Sequence, residues 1–124
     1  MADDAGTAAS GSSAAGAVPA RALVTLPPTL RRGEPFEVRT LVAHAMETGH
    51  RADAQGRRVP RDIVRRLEAR LDGELVFAAD LHAAIAANPY VVFPLVVQGP
   101  GTLEVTWRGD RGFAHRVSVA VRVS

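Results

Sequence analysis

Residues 61–79 read R-D-I-V-R-R-L-E-A-R-L-D-G-E-L-V-F-A-A, and the fold turns on whether they form a helix or a hairpin. Ile63, Leu67 and Leu71 repeat at the i, i+4, i+8 spacing of one helix face. Ile63, Leu67, Ala69 and Leu71 also share one face of an extended chain, with Arg65 breaking the alternation. Asp72-Gly73 decides between them. Asp-Gly between two apolar runs is the signature of a two-residue turn whose central residues take positive φ. Residues 74–79 (E-L-V-F-A-A) then supply the returning strand.

The same alternation extends in both directions from this hairpin. Upstream, 21–26 (R-A-L-V-T-L) reads as a strand stopped by Pro27-Pro28. In 36–43 (F-E-V-R-T-L-V-A), Phe36, Val38, Thr40 and Val42 fall on one face. Residues 44–60 are irregular, and a loop that long in a small domain points to function. Downstream, 80–89 is a connection with room for one helical turn before Pro89. Residues 90–97 (Y-V-V-F-P-L-V-V) are apolar on both faces. That fits a strand covered on both sides, or one with one face in the core and the other against a partner, and Pro94 argues for a sheet edge or a bulge. Residues 102–108 and 113–123 alternate cleanly around a turn at Gly109–Gly112. Seven short strands in about a hundred residues predict an all-β, immunoglobulin-like antiparallel sandwich.

Length and composition set the outer limits. The chain has 124 residues, 47% hydrophobic and 23% charged, which suits one domain with a packed core. Residues 1–18 are almost all Ala, Gly, Ser, Thr and Asp. They offer little apolar area against the entropy of ordering, so a disordered tail is expected there and a folded domain over 19–124. With 0 Cys the chain has no disulfide, thiolate nucleophile or Cys-type zinc site, and it cannot itself carry a persulfide. All 15 basic residues are arginine, yet the net charge is only +2. The aromatics sit in apolar runs rather than among the arginines, so a nucleic-acid surface is poorly supported. No apolar run is long enough to span a membrane. The acidic start, M-A-D-D-A-G, is followed by no signal-peptide core, which taken alone points to the cytoplasm.

The stretch H-A-M-E-T-G-H at 44–50 carries the most chemistry-bearing side chains. His44, Glu47 and His50 are spaced three and three, which is not the two-histidine zinc helix. In a loop they could converge, with His82 or His115 completing a site. A metal-binding enzyme is thus one alternative, and a generic sandwich binding module is another. No serine lies in a nucleophile pattern. Asp53, Asp62, Asp72, Asp80 and Asp110 fall near turns, where Asp is favoured for backbone reasons. The arginines at 57, 58, 61, 65, 66 and 70 read first as a solvated sheet edge that resists stray pairing, and second as an anion- or partner-facing surface. In N-P-Y at 88–90, Asn-Pro suits a turn and Tyr90 an interface anchor.

Taken together, T-L-V-A-H-A-M-E-T-G-H-R (40–51), D-A-Q-G-R-R-V-P-R-D-I-V (53–64), G-E-L-V-F-A-A-D-L-H-A-A-I-A-A-N-P-Y (73–90) and G-T-L-E-V-T-W (101–107) closely resemble the SoxZ family. SoxZ is the smaller subunit of the SoxYZ sulfur carrier of bacterial thiosulfate oxidation. The resemblance implies an immunoglobulin-like sandwich that is not an enzyme and needs no cofactor. It implies a heterodimer with SoxY, whose flexible arm ends in a glycine-cysteine motif that bears the sulfur. Transient contacts with other Sox enzymes are implied, and so is a periplasmic location reached with a SoxY that carries the export signal. The partner-interface candidates are His44, Met46, Glu47, Thr48, Gly49, Asn88, Pro89, Tyr90 and Val92. The chain departs from the family where Ala45 replaces the usual proline, where Pro94 replaces an aromatic residue, and in its longer tail.

Overall fold

The computed structural model describes residues 22–82 and 87–124. The tail expected at 1–18 and part of the 80–89 connection lie outside the described residues. Among the described residues there are seven strands: β1 (Ala22–Thr25), β2 (Phe36–Val42), β3 (Val64–Leu71), β4 (Glu74–Asp80), β5 (Tyr90–Leu95), β6 (Gly101–Gly109) and β7 (Ala114–Val121). They form a three-stranded sheet in the order β1-β2-β5 and a four-stranded sheet in the order β4-β3-β6-β7. All pairings are antiparallel, so the expected sandwich is the fold observed.

The deciding stretch is a hairpin. Asp72 has φ 50° and Gly73 φ 89°, so both central residues of the turn are left-handed, as a type I′ turn requires. The Asp72 carboxylate also accepts the Thr102 N–H at 2.9 Å, which ties the turn to the start of β6. The interruption at Arg65 has a structural cause. In the β3–β6 ladder Val64 pairs with Gly109 and Arg66 with Arg108, which leaves Arg65 as the extra residue of a bulge. The bulge resets the phase. Val64 and Leu67 both point into the core, and Arg65 and Arg66 point out. Glycine is needed opposite this kink, because a Cβ on Gly109 would collide with the Ile63 carbonyl.

Of the arginine run, Arg57, Arg58 and Arg61 lie in the loop before β3, and Arg65, Arg66 and Arg70 lie on β3 itself, which is not a sheet edge. β3 is an interior strand, paired with β4 on one side and β6 on the other. Its arginines instead cover the outer face of the four-stranded sheet, and they are matched by acids. Arg66 pairs with Glu68 and Asp80 at 2.8 Å each, Arg70 with Glu68 at 3.4 Å, and Arg116 of β7 with Glu104 of β6 at 3.3 Å. These residues are cross-strand or same-face neighbours, the geometry in which opposite charges stabilise a sheet.

The core lies between the sheets. The three-stranded sheet contributes Val38, Val42, Phe93 and Leu95, and the four-stranded sheet Leu67, Ala69, Leu103, Val105, Trp107 and Val121. Each large side chain of this kind stabilises the fold by roughly 1.5–3 kcal/mol. Phe77 of β4 and Phe93 of β5 stack across the sandwich, with ring centroids 4.3 Å apart and planes within 4°. Thr40 is buried on the inner face of β2, and its hydroxyl is satisfied by donating to the Val91 carbonyl at 2.8 Å. Pro94 is tolerated because β5 is the edge strand of its sheet.

Candidate partner-binding site

The long loop after β2 is held by local hydrogen bonds rather than by regular structure. Glu47 and Asp62 exchange backbone hydrogen bonds at 2.8 and 2.7 Å, closing the segment at its base. Within it, Asp53 accepts from the N–H groups of Gln55 and Arg57 at 2.9 Å each, an Asx turn. Val59 N–H donates to the Arg51 carbonyl at 2.7 Å. Gly49 has φ 90°, a conformation side chains avoid, and a Cβ there would press on Arg61.

His44 is the hub. Its backbone N–H donates to the Asn88 Oδ1 at 2.9 Å, and its carbonyl accepts from the Asn88 N–H at 2.7 Å. The two motifs H-A-M-E-T-G and A-N-P-Y are therefore bonded to each other. Asn88 sits at φ 54°, a left-handed position that Asn tolerates better than most residues. The imidazole Nδ1 accepts from the Met46 N–H at 3.0 Å, which assigns the ring proton to Nε2. That nitrogen lies 3.6 Å from the Asp62 carboxylate. Phe113 packs edge-on against the ring at 4.9 Å.

Met46 points inward. It is 5% exposed, and its sulfur accepts from the Val64 N–H at 3.2 Å. That N–H lies at the β3 bulge, where the regular ladder is interrupted. Met46 thus joins the core instead of facing a partner, and Pro89, whose carbonyl accepts from Val42 N–H at 3.2 Å, is buried too. Glu47 is bound by Arg51 at 2.9 Å, and the guanidinium hydrogen bonds hold its carboxyl below the usual range. Thr48 caps a local turn by accepting from the His50 N–H at 3.2 Å. Asp110, in the turn before β7, accepts from Ile63 N–H at 3.2 Å and binds Arg61 at 2.7 Å. The Arg61 hydrogen bond is the main reason its carboxyl is held low. Asp53, Asp72 and Asp110 thus serve the backbone, as turn residues are expected to.

Among the described residues the histidines and acids do not assemble into a metal site. Glu47 is engaged by Arg51. His115 faces the core, in register with Trp107, at 6.2 Å between ring centroids. Among the described residues no three His, Cys, Asp or Glu side chains come together to hold an ion. No helix among them is long and apolar enough to cross a membrane.

What does stand out is the outer face of the three-stranded sheet. Leu23 of β1 pairs with Leu41 of β2, which pairs with Tyr90 of β5. Their exposures are 59%, 37% and 58%. The next outward row runs Thr25, Arg39 and Val92, with Val92 38% exposed. Of the sequence candidates, Tyr90 and Val92 lie on this face, and Asn88 enters its end of β5. Leu23 and Leu41 were missed by the sequence reading. Their signal is a large apolar residue in the outward phase of an otherwise alternating strand.

A family model described as sulphur oxidation protein SoxZ matches residues 24–120. No curated protein matches. Among solved structures, superoxide reductase (neelaredoxin) from Ignicoccus hospitalis shares 17% identity, covers 83% of this chain and 80% of that chain, and superposes with a TM-score of 0.61. A variant of the same protein gives 17% identity, the same 83% coverage here and 79% there, and a TM-score of 0.62. At that identity the likeness is one of fold alone.

Proposed function

The chain belongs to the SoxZ family and is a subunit of sulfur oxidation, and we propose that it acts without catalysing a step, by binding a SoxY-like chain. The partner's cysteine-bearing arm carries the sulfur. The family match over most of the chain carries this reading, and the chain's own chemistry supports it. With 0 Cys it has no thiol to hold a persulfide or to exchange with one, so the sulfur must ride on another chain. The loop anchored by His44 and Asn88 provides a rigid end to the sandwich, beside which an arm can be presented to the other Sox enzymes. The complex forms before export and reaches the periplasm on the partner's signal.

The test is co-expression with the SoxY-like chain of the same genome, with an affinity tag on that chain only. Stoichiometric recovery of the untagged subunit through a sizing column is expected. Separate elution at micromolar concentrations of both chains would overturn the reading.

A further inference from the structure

The two outer faces of the sandwich differ in kind. The four-stranded face is a lattice of satisfied ion pairs: Arg66 with Glu68 and Asp80, Arg70 with Glu68, Arg116 with Glu104. The three-stranded face carries Leu23, Leu41, Tyr90 and Val92 exposed, and Val96 just beyond β5 is exposed as well. Its charged outward side chains, Arg39 and Glu37, bind each other at 3.2 Å. It is therefore apolar and electrically balanced. From strand spacing, three strands span about 10 Å, and the six residues of β5 run about 20 Å. A contiguous apolar strip of that kind on a small domain marks a place where another surface sits.

We infer that this face, centred on the Leu23–Leu41–Tyr90 row, is where the SoxY-like subunit docks, through an apolar, uncharged sheet face of its own. The inference rests on the binding role proposed above. The binding role names the occupant, and three observations bear on how it fits. β1 begins at Ala22 beside the row, but in residues 1–21 only Met1, Val18 and Pro19 are apolar residues larger than alanine, too few to cover it. The self-paired Arg39 and Glu37 leave no net charge for an acidic or basic partner to neutralise. The strip is smaller than the roughly 800 Å² that each side of a stable interface contributes, so it forms the apolar centre of a larger contact. Tyr90 is the aromatic anchor within it. The buried Met46 takes no part.

Leu41→Arg and Tyr90→Ala, alone and together, test this against Arg116→Glu on the opposite face as control. The probe is the purified SoxY-like subunit, and dissociation constants are measured by titration calorimetry. All three substitutions are of surface residues, and thermal melts verify folding. The double variant is expected to bind at least about 30-fold more weakly, the size of a hot-spot loss, while the control binds like the parent. If the parent binds and the double variant binds equally well, the face is misassigned and the binding role stands. If the parent itself does not bind, both fall. A parent that self-associates through this face and is not displaced by the SoxY-like chain also overturns the assignment.

Discussion

Replacing Met46 with alanine separates a residue that builds the domain from one that touches a partner. Met46 is 5% exposed and holds the Val64 N–H on its sulfur at 3.2 Å. Met46→Ala removes the buried side chain beyond Cβ and leaves that N–H without an acceptor. Buried Met→Ala changes cost roughly 2–5 kcal/mol, so a loss of about 3 kcal/mol is expected. For a domain of this size that lowers the melting temperature by about 12–24 °C. Met46→Leu keeps the volume but not the sulfur acceptor, so it should cost less than the alanine change, about 1–2 kcal/mol, most of it from the orphaned Val64 N–H. Urea unfolding followed by Trp107 fluorescence reads both, with the partner's dissociation constant measured well below each midpoint. The folded fraction of each variant should bind with parental affinity. A Met46→Ala protein within about 0.5 kcal/mol of the parent in stability, but tenfold weaker in binding, would refute the placement of Met46 in the core.

Asn88→Ala should lose the hydrogen bond to His44 and strain the left-handed backbone, destabilising by about 2 kcal/mol. Asn88→Gly relieves the strain and should lose about half as much, so equal losses in denaturant titrations would discount the backbone contribution. Ala45→Pro restores the residue usual in the family. Ala45 N–H donates to no protein acceptor among the described residues, and its φ is not positive. A gain of about 0.4–1 kcal/mol is therefore expected, and a loss would show that the loop's backbone at His44 cannot adapt. Stability should also fall in acid, in two stages. Burial lowers the His115 pKa below its usual value, so the unfolded chain binds the proton first and stability declines as pH drops through about 6.5. Glu47, Glu68 and Asp110 are held low by their arginines. Their contribution is complete above the ordinary carboxylate range and is lost as pH falls below it. His115→Leu should flatten the first decline only, and an unchanged pH profile would remove His115 as its cause.

Most of the strands were legible because they alternate, β5 because its apolar run is short and bounded by turn residues, and the hairpin because Asp72-Gly73 admits little else. The bulge at Arg65 was visible only as a defect in the pattern, since a bulge is defined by the strand opposite it. The arginine run was misplaced for the same reason. Sequence shows that charges are dense on β3, but strand order decides whether β3 is an edge, and order depends on pairing with β6 some forty residues away. The loop motifs were recognisable as unusual, but not their bonding to each other. His44 and Asn88 are joined by geometry that no local rule encodes. Met46 looked available because it lies in a loop, and the Val64 N–H that its sulfur meets in the interior belongs to β3. Leu23 and Leu41 went unremarked one strand at a time, and gained meaning only when register set them in one row with Tyr90.

Hydroxyl-radical footprinting of the chain alone and in complex with its SoxY-like partner tests the central claim most directly. The account predicts that oxidation of Leu23, Leu41 and Tyr90 falls sharply in the complex, while Met46 is unreactive in both states and the outer residues of the four-stranded sheet are unchanged. A complex that forms while Tyr90 and Leu41 oxidise as fast as in the free chain would contradict it.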